Sequence, residues 1–284
     1  MYRITPLEPI DYLVIGHITK DLTPAGPVLG GTASYASLTA RAMGLRVGVL
    51  TACESCFSAP ELDREGIRVI GMYADETTTF ENIQTPEGRV QYLHSIAPSI
   101  DISMVPEPWL STPIVHLGPV AGEVSPNLAR YFSNSFVGLT PQGWLRSRDS
   151  EGRVHYTDWP EATFVCQNAS AAVISIEDVR GDESLIEELA SSIRVLAVTE
   201  GANGSRLYWN GDLRRFRPPV MNEVDPTGAG DIFAAAFFIR LNFTRDPWEA
   251  ARFATNLAAV SVLRRGLAGV PTPEEVQACM AEVI

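Results

Sequence analysis

The sequence predicts an α/β fold: a mostly parallel central sheet with helices packed on it and a small antiparallel β lid. Three observations carry this. Residues 11–53 read as strand, helix, strand. Residues 76–96 read as an antiparallel ribbon. From Asp231 onward the chain is mainly helical. Parallel strands need a crossover helix, and the covered strands then read as short unbroken apolar runs.

The elements follow in order. "DYLVIGHI" (Asp11–Ile18) is a compact apolar run that meets a glycine, as a buried parallel strand does. "ASLTARAMG" (Ala36–Gly44) has helical spacing and a glycine stop, and "RVGVLTAC" (Arg46–Cys53) is a second strand. "ETTTFENIQTPEGRVQYLHSI" (Glu76–Ile96) is rich in Thr, Phe, Val and Tyr, with a turn expected at Pro86–Gly88. Further strands are expected within Pro113–Val120, Ser135–Gly143, Ala171–Val179, Ile193–Gly201 and Ser205–Gly211, with a helix over Glu183–Ile193. Three helices close the chain: Asp231–Leu241, Pro247–Arg264 and Pro273–Val283, the last capped by Thr272 between Pro271 and Pro273. No repeat, low-complexity tract or linker interrupts the pattern, so residues 1–284 read as one domain.

Composition narrows the function. The 284 residues are 45% hydrophobic and 20% charged, enough apolar surface for a sizeable core. The net charge of -12 argues against nucleic acid as a partner. No apolar run reaches about 18 residues, so no membrane span is expected. The N-terminal residues show no basic segment followed by a long apolar one, so no signal peptide is read and a cytoplasmic location is expected. Cys53 and Cys56 form a C-x-x-C with no second pair at zinc spacing, which leaves ordinary thiols or a redox pair.

The segment "DPTGAGDIFAAAFF" (Asp225–Phe238) carries the chemistry. Gly228 and Gly230 let successive N–H groups point to one side, and the helix behind them adds unpaired N–H groups and the positive end of its dipole. Together these make an anion site. Asp231 at its mouth is either a helix cap or a general base that takes a proton from an attacking hydroxyl. No G-K-[ST] follows, so this is not a P-loop, and "GHITKD" after the first strand is not the G-x-G-x-x-G of a dinucleotide site.

"DPTGAGD" resembles the C-terminal signature of the PfkB/ribokinase family of sugar kinases. Four further segments are similar to that family in the same order along the chain: "IGHITKD" (Ile15–Asp21), "LGGTASYASLTARAMG" (Leu29–Gly44), "VTEGANGSRLYWNG" (Val198–Gly211) and "NLAAVSVLRRGLAGVPTPEEV" (Asn256–Val276). The resemblance implies a ribokinase-like three-layer α/β/α sandwich with lid strands from about residues 18–32 and 73–105. It implies an ATP-dependent phosphotransferase acting on a hydroxyl of a small polyol or sugar, with magnesium riding on the phosphates. A nucleoside or other small-alcohol kinase of the same fold, and a non-catalytic sugar- or nucleotide-binding relative, are the alternatives.

Carried over residue by residue, the resemblance makes Asp231 the catalytic base and Gly228, Ala229 and Gly230 the anion hole. Asp225 and Thr227 fall where some members hold a monovalent cation such as K+, although Asp225 could equally cap the turn. Asp21 would bind substrate hydroxyls, while Gly30 and Gly31 would let the backbone approach the substrate. Thr199, Gly201 and Gly204 would line the nucleotide, with Asn256 near its adenine. Arg89 at the ribbon tip could reach substrate or phosphate, or be solvated. Two departures narrow the reading. Tyr35 stands where many members carry a sugar-binding Asn, and Ser175 to Asp178 ("SIED") stands where many carry N-x-x-E. With "LGGTASY" and "PQGWLR", these are similar to the myo-inositol kinase branch, which adds Gln142 and Arg146 as substrate-side candidates. Monomer and homodimer both remain open.

Overall fold

A computed structural model describes residues 7–54, 59–85 and 88–281, apart from the side chains of Gln84 and Arg89. In chain order it contains β1 (Tyr12–Ile15), β2 (Thr19–Thr23), β3 (Gly26–Gly30), α1 (Thr32–Ala42), β4 (Val47–Cys53), α2 (Pro60–Arg64), β5 (Arg68–Tyr73), β6 (Thr79–Thr85) and β7 (Gly88–Ser95). Then come β8 (Ile114–Leu117), β9 (Phe136–Leu139), β10 (Arg146–Arg148), β11 (Val154–Tyr156), α3 (Ala162–Gln167), β12 (Ala171–Ser175), α4 (Glu183–Ser192) and β13 (Val195–Thr199). The last are β14 (Ser205–Trp209), β15 (Asp212–Phe216), α5 (Ala229–Thr244), α6 (Pro247–Ser261) and α7 (Pro273–Ala281).

Nine strands form the central sheet in the order β15-β14-β13-β12-β9-β8-β1-β4-β5. Every pair from β13 to β5 is parallel, and β14 and β15 add an antiparallel edge. Side-chain alternation splits the core into two. Tyr12 and Val14 face one layer of helices, while Leu13 and Ile15 face the other. Val195 and Ala197 divide from Leu196 and Val198 in the same way. The first layer holds α1, α5, α6 and α7 and the second α3 and α4, which makes three layers. The α5 segment Ile232–Ile239 is buried on all sides, because α5 lies between the sheet and α6.

A four-stranded sheet in the order β3-β2-β6-β7 stands apart from the central one. It is two antiparallel hairpins joined by a parallel pair, β2 with β6. Thr79 and Phe80 sit at a register shift where β6 bends against β7. The expected ribbon turn lies at Pro86 and Glu87, outside the described residues, as do the Arg89 side chain, Cys56 and Val283. Cys53 is a buried thiol.

Two boundaries differ from expectation. The helix expected from Asp231 begins at Ala229, because the glycine turn closes a residue ahead of it, and α6 stops at Ser261 rather than Arg264. Arg264 instead pairs with Glu275 of α7 at 2.8 Å, which pins the turn between the two helices. Thr272 does cap α7. Its Oγ1 accepts the Glu275 N–H at 3.3 Å and Glu275 accepts the Thr272 N–H at 2.9 Å, a reciprocal capping box. Among the described residues no helix is long and apolar enough to cross a membrane.

Candidate active site

A cavity of about 670 Å³ opens beyond the carboxyl ends of β9, β12 and β13 and under the small sheet. That is where an open α/β sheet places its ligands. Asp231, Asp21, Arg146, Gly228 and Gly230 all line it.

The glycine turn at the head of α5 is built as the sequence requires. Gly228 has φ +80, and a Cβ there would lie 2.2 Å from the Tyr35 ring, so only glycine fits. Asp225 holds the turn from behind, its two oxygens accepting the N–H groups of Thr227 and Gly266, each at 2.9 Å. These bonds keep its carboxyl below the usual range in spite of its partial burial. This is the turn-capping alternative for Asp225, which is absent from the cavity wall. The amides of Gly228 and Gly230 have no hydrogen-bond partner among the described residues, whereas that of Ala229 donates to the Pro226 carbonyl at 3.1 Å. The expected three-residue anion hole is therefore corrected at Ala229, whose N–H closes the turn.

Asp231 is no helix cap. It lies in the first turn of α5, and its Oδ1 accepts the Thr32 hydroxyl at 2.6 Å. Burial pushes its carboxyl up to about 6, against the pull of the Thr32 hydrogen bond and the Arg146 charge, while Asp178 and Asp21 push it further. A carboxylate whose proton affinity lies close to neutrality suits proton abstraction.

On the small-sheet side, Asp21 projects from β2. Burial raises its carboxyl, moderated by the Thr19 hydroxyl at 2.8 Å and the Arg146 charge. Gly30 faces Asp21 rather than the cavity: a Cβ at residue 30 would lie 2.3 Å from Asp21 Oδ2. The expected approach of Gly30 to substrate is corrected to room for this carboxylate; Gly31 is on the wall. Tyr35 lines the cavity but packs its ring on Gly228, so it braces the turn. Gln142 spends its amide N–H on Asp178 Oδ1 at 2.9 Å.

On the far side, Ser175, Thr199, Gly201, Gly204 and Thr227 line the cavity, with Pro218–Met221 beside them. Asp178 accepts from Ser175 N at 3.0 Å through Oδ2 as well as from Gln142, so both its oxygens are engaged by protein donors. Asn256 is not among the residues that line the cavity. Thr255, Ala258, Ala259 and Val262 of α6 and its end form the wall, and Asn256 lies one position round the helix from them. Among the described residues no cluster of three His, Cys, Asp or Glu could hold a metal ion.

Residues 146–274 match the pfkB family of carbohydrate kinases. The match falls within the second half of the chain, the half that carries the glycine turn and Asp231. Inositol 3-kinase of Zea mays is 30% identical over 163 residues, 56% of this chain and 42% of the maize protein. The chain thus spans under half the length of that relative. Cytidine kinase of Thermococcus kodakarensis is 23% identical over 265 residues, 86% of this chain and 92% of that one. A pyrophosphate-dependent kinase in the ribokinase family superposes with a TM-score of 0.80 at 22% identity, covering 94% of this chain and 99% of the other. The fold is ribokinase-like, and the small sheet is its lid.

The cavity adds residues that sequence reasoning missed. The lid brings Asn82 and Gln91 into the cavity as a pair, Gln91 Nε2 donating to Asn82 Oδ1 at 3.0 Å. Their alternation on β6 and β7 was readable, but not which face closes over the cavity. Buried Glu123 accepts the N–H groups of His17 at 2.9 Å and Ala121 at 2.8 Å, fixing the turn after β1. His116 is buried between Tyr12 OH and Thr140 Oγ1, each at 2.9 Å, and burial lowers its imidazole to about 3. It is a neutral strut under the cavity. No motif marked it.

Proposed function

We propose that this chain is a phosphotransferase that moves the terminal phosphoryl group of ATP to a hydroxyl of a small polyol or sugar, with myo-inositol the first candidate. One observation carries the reading: a carboxylate of raised proton affinity, Asp231, stands beside the unpaired amides of Gly228 and Gly230 inside the cavity that also holds Asp21 and Arg146.

In this mechanism Asp21 accepts hydrogen bonds from substrate hydroxyls and orients the ring, since a carboxylate can accept two such bonds. Asp231 takes the proton of the attacking hydroxyl, a role worth about 10²–10⁴-fold in rate. The Gly228 and Gly230 amides, with the N-terminus of α5, hold the negative charge on the phosphoryl oxygens during transfer. Lid closure would exclude water, which otherwise competes for the phosphoryl group. Magnesium would be held mainly by phosphate oxygens and water, which fits Asp178 being committed to protein donors.

Two donors compete. The pyrophosphate-dependent neighbour makes pyrophosphate a specific second reading. ATP is favoured by the apolar far wall, Pro218–Met221 with Ala258, Ala259 and Val262, which suits a flat base. Pyrophosphate has no base to fill it, and Arg146 is the single cation among the described lining residues. The cytidine kinase relative makes a nucleoside the second acceptor reading. The test is a panel of polyols, sugars and nucleosides with ATP or pyrophosphate, products read by ³¹P NMR. A phosphomonoester of a polyol formed from ATP is expected and should vanish in Asp231→Asn. No ester with any acceptor, or full activity in Asp231→Asn, refutes the proposal.

A further inference from the structure

A carboxylate base has two oxygens, and only one can meet the substrate hydroxyl in a given geometry. The structure distinguishes them. Thr32 is the first residue of α1, 2% exposed, and its hydroxyl donates to Asp231 Oδ1 at 2.6 Å across 199 residues of sequence. Its orientation is enforced. Gly118, at the end of β8, presents only hydrogen to it: a Cβ there would lie 2.7 Å from the Thr32 methyl carbon. The methyl is thus seated against the sheet, and the hydroxyl is turned toward α5. A threonine hydroxyl has one proton to give, and here it goes to Oδ1.

We infer that Thr32 is a positioning residue that ties down Oδ1 of Asp231 and reserves Oδ2 as the oxygen that takes the substrate proton. This rests on the reading of Asp231 as the base. The step balances without another reactant. The substrate O–H bond breaks and its proton goes to Oδ2. The freed oxygen bonds to the terminal phosphorus, and the bond to the donor's bridging oxygen breaks with its electron pair staying on the donor. Asp231 begins as a carboxylate and ends as a carboxylic acid with the proton on Oδ2.

The same hydrogen bond sets when the base is ionised. The groups around Asp231 act in both directions. Thr32 from α1 and Arg146 from β10 favour the carboxylate, Asp178 after β12 and Asp21 from β2 oppose it, and the neutral phenols of Tyr12 and Tyr35 feel its charge. Removing the Thr32 hydroxyl deletes the leading favourable contact, so the proton is held to higher pH.

The experiment measures kcat and KM from pH 5 to 9 for wild type, Thr32→Val, Thr32→Ser and Asp231→Asn, with the donor and acceptor pair found active in the panel. Thr32→Val should shift the acid limb of kcat upward from near 6 and lower kcat at the acid end about tenfold, the protonation ratio of one pH unit. Activity should recover at high pH, with KM for the acceptor little changed. Thr32→Ser keeps the donor and should keep the wild-type limb. If Thr32→Val does not fold, Thr32→Cys carries the test, since its weak thiol donor should give a smaller shift in the same direction. An acid limb in the Val or Cys variant superimposable on wild type overturns the inference, as does an equal loss at every pH. The two readings fail separately. An active Asp231→Asn removes the base itself, whereas a dead Asp231→Asn with an unshifted Thr32→Val removes only the role of Thr32.

Discussion

Gly228→Ala tests whether the glycine turn is held by its neighbours. Gly228 has φ +80, and an added Cβ would lie 2.2 Å from Cδ1 and 2.3 Å from Cε1 of Tyr35. Two costs follow. The left-handed backbone costs an alanine about 1–2 kcal/mol. The overlap costs about 1–3 kcal/mol more, since Tyr35 is 3% exposed and has little room to yield. The sum, about 2–5 kcal/mol, corresponds to a fall of roughly 5–15 °C in unfolding temperature for a chain of this size. If the Gly228 and Gly230 amides hold the phosphoryl group as proposed, rotating the turn also swings them off it, and losing one such donor costs about 10²-fold or more in kcat. The assay is thermal unfolding with steady-state kinetics on Gly228→Ala, Tyr35→Ala and the double variant. Removing the ring relieves the overlap but not the backbone strain, so the two changes should couple by about 1–3 kcal/mol. Additive costs, or a Gly228→Ala protein with wild-type stability and kcat, would refute the reasoning.

Other outcomes follow from the carboxylates. Asp231 holds its proton to about 6 when folded, against 3.8 for an aspartate in water. The native state therefore binds more protons than the unfolded chain between these values, and stability is lost as pH rises through that window. Asp231→Asn keeps an oxygen to accept from Thr32 and removes the buried charge. It should therefore be more stable than wild type at pH 7.5 by up to about 3 kcal/mol and similar to it near pH 4, as measured by calorimetry. An Asn variant no more stable than wild type at pH 7.5 would contradict the burial argument. Gly30→Ala places a Cβ 2.3 Å from Asp21 Oδ2, so it should raise KM for the acceptor by about 10–100-fold while changing kcat less. A fall in kcat alone would show that Asp21 does not bind the acceptor.

Much of the fold was legible because its signals are local. Runs such as "YLVI" and "VLAV" are apolar at every position since both faces of the sheet are covered. The glycine turn and Asp231 lie within seven residues of one another and so form a readable motif. The partners of those residues were not legible. Thr32 reaches Asp231 across 199 residues, and Gln142 reaches Asp178 across 36. Distances of that kind are set by how the crossovers stack, not by any spacing in the chain. The same reason explains Gly30. A Gly-Gly pair says the backbone must approach something closely, but not that one of the two approaches a carboxylate of its own hairpin. The placement of Asn256 was not legible either: one step along a helix is a rotation of about 100°, which sets it apart from Thr255 on the wall.

Gly31 is all that separates the lid strand β3, ending at Gly30, from the helix that starts with Thr32. Its φ of +83 makes it a joint that no larger residue would occupy comfortably. Any swing of the hairpin would therefore be levered straight onto the hydroxyl that holds Asp231, with no slack of chain to absorb it. On the proposed reading, admitting an alcohol beneath the lid and setting the proton acceptor would be a single mechanical event, pivoted on one amino acid.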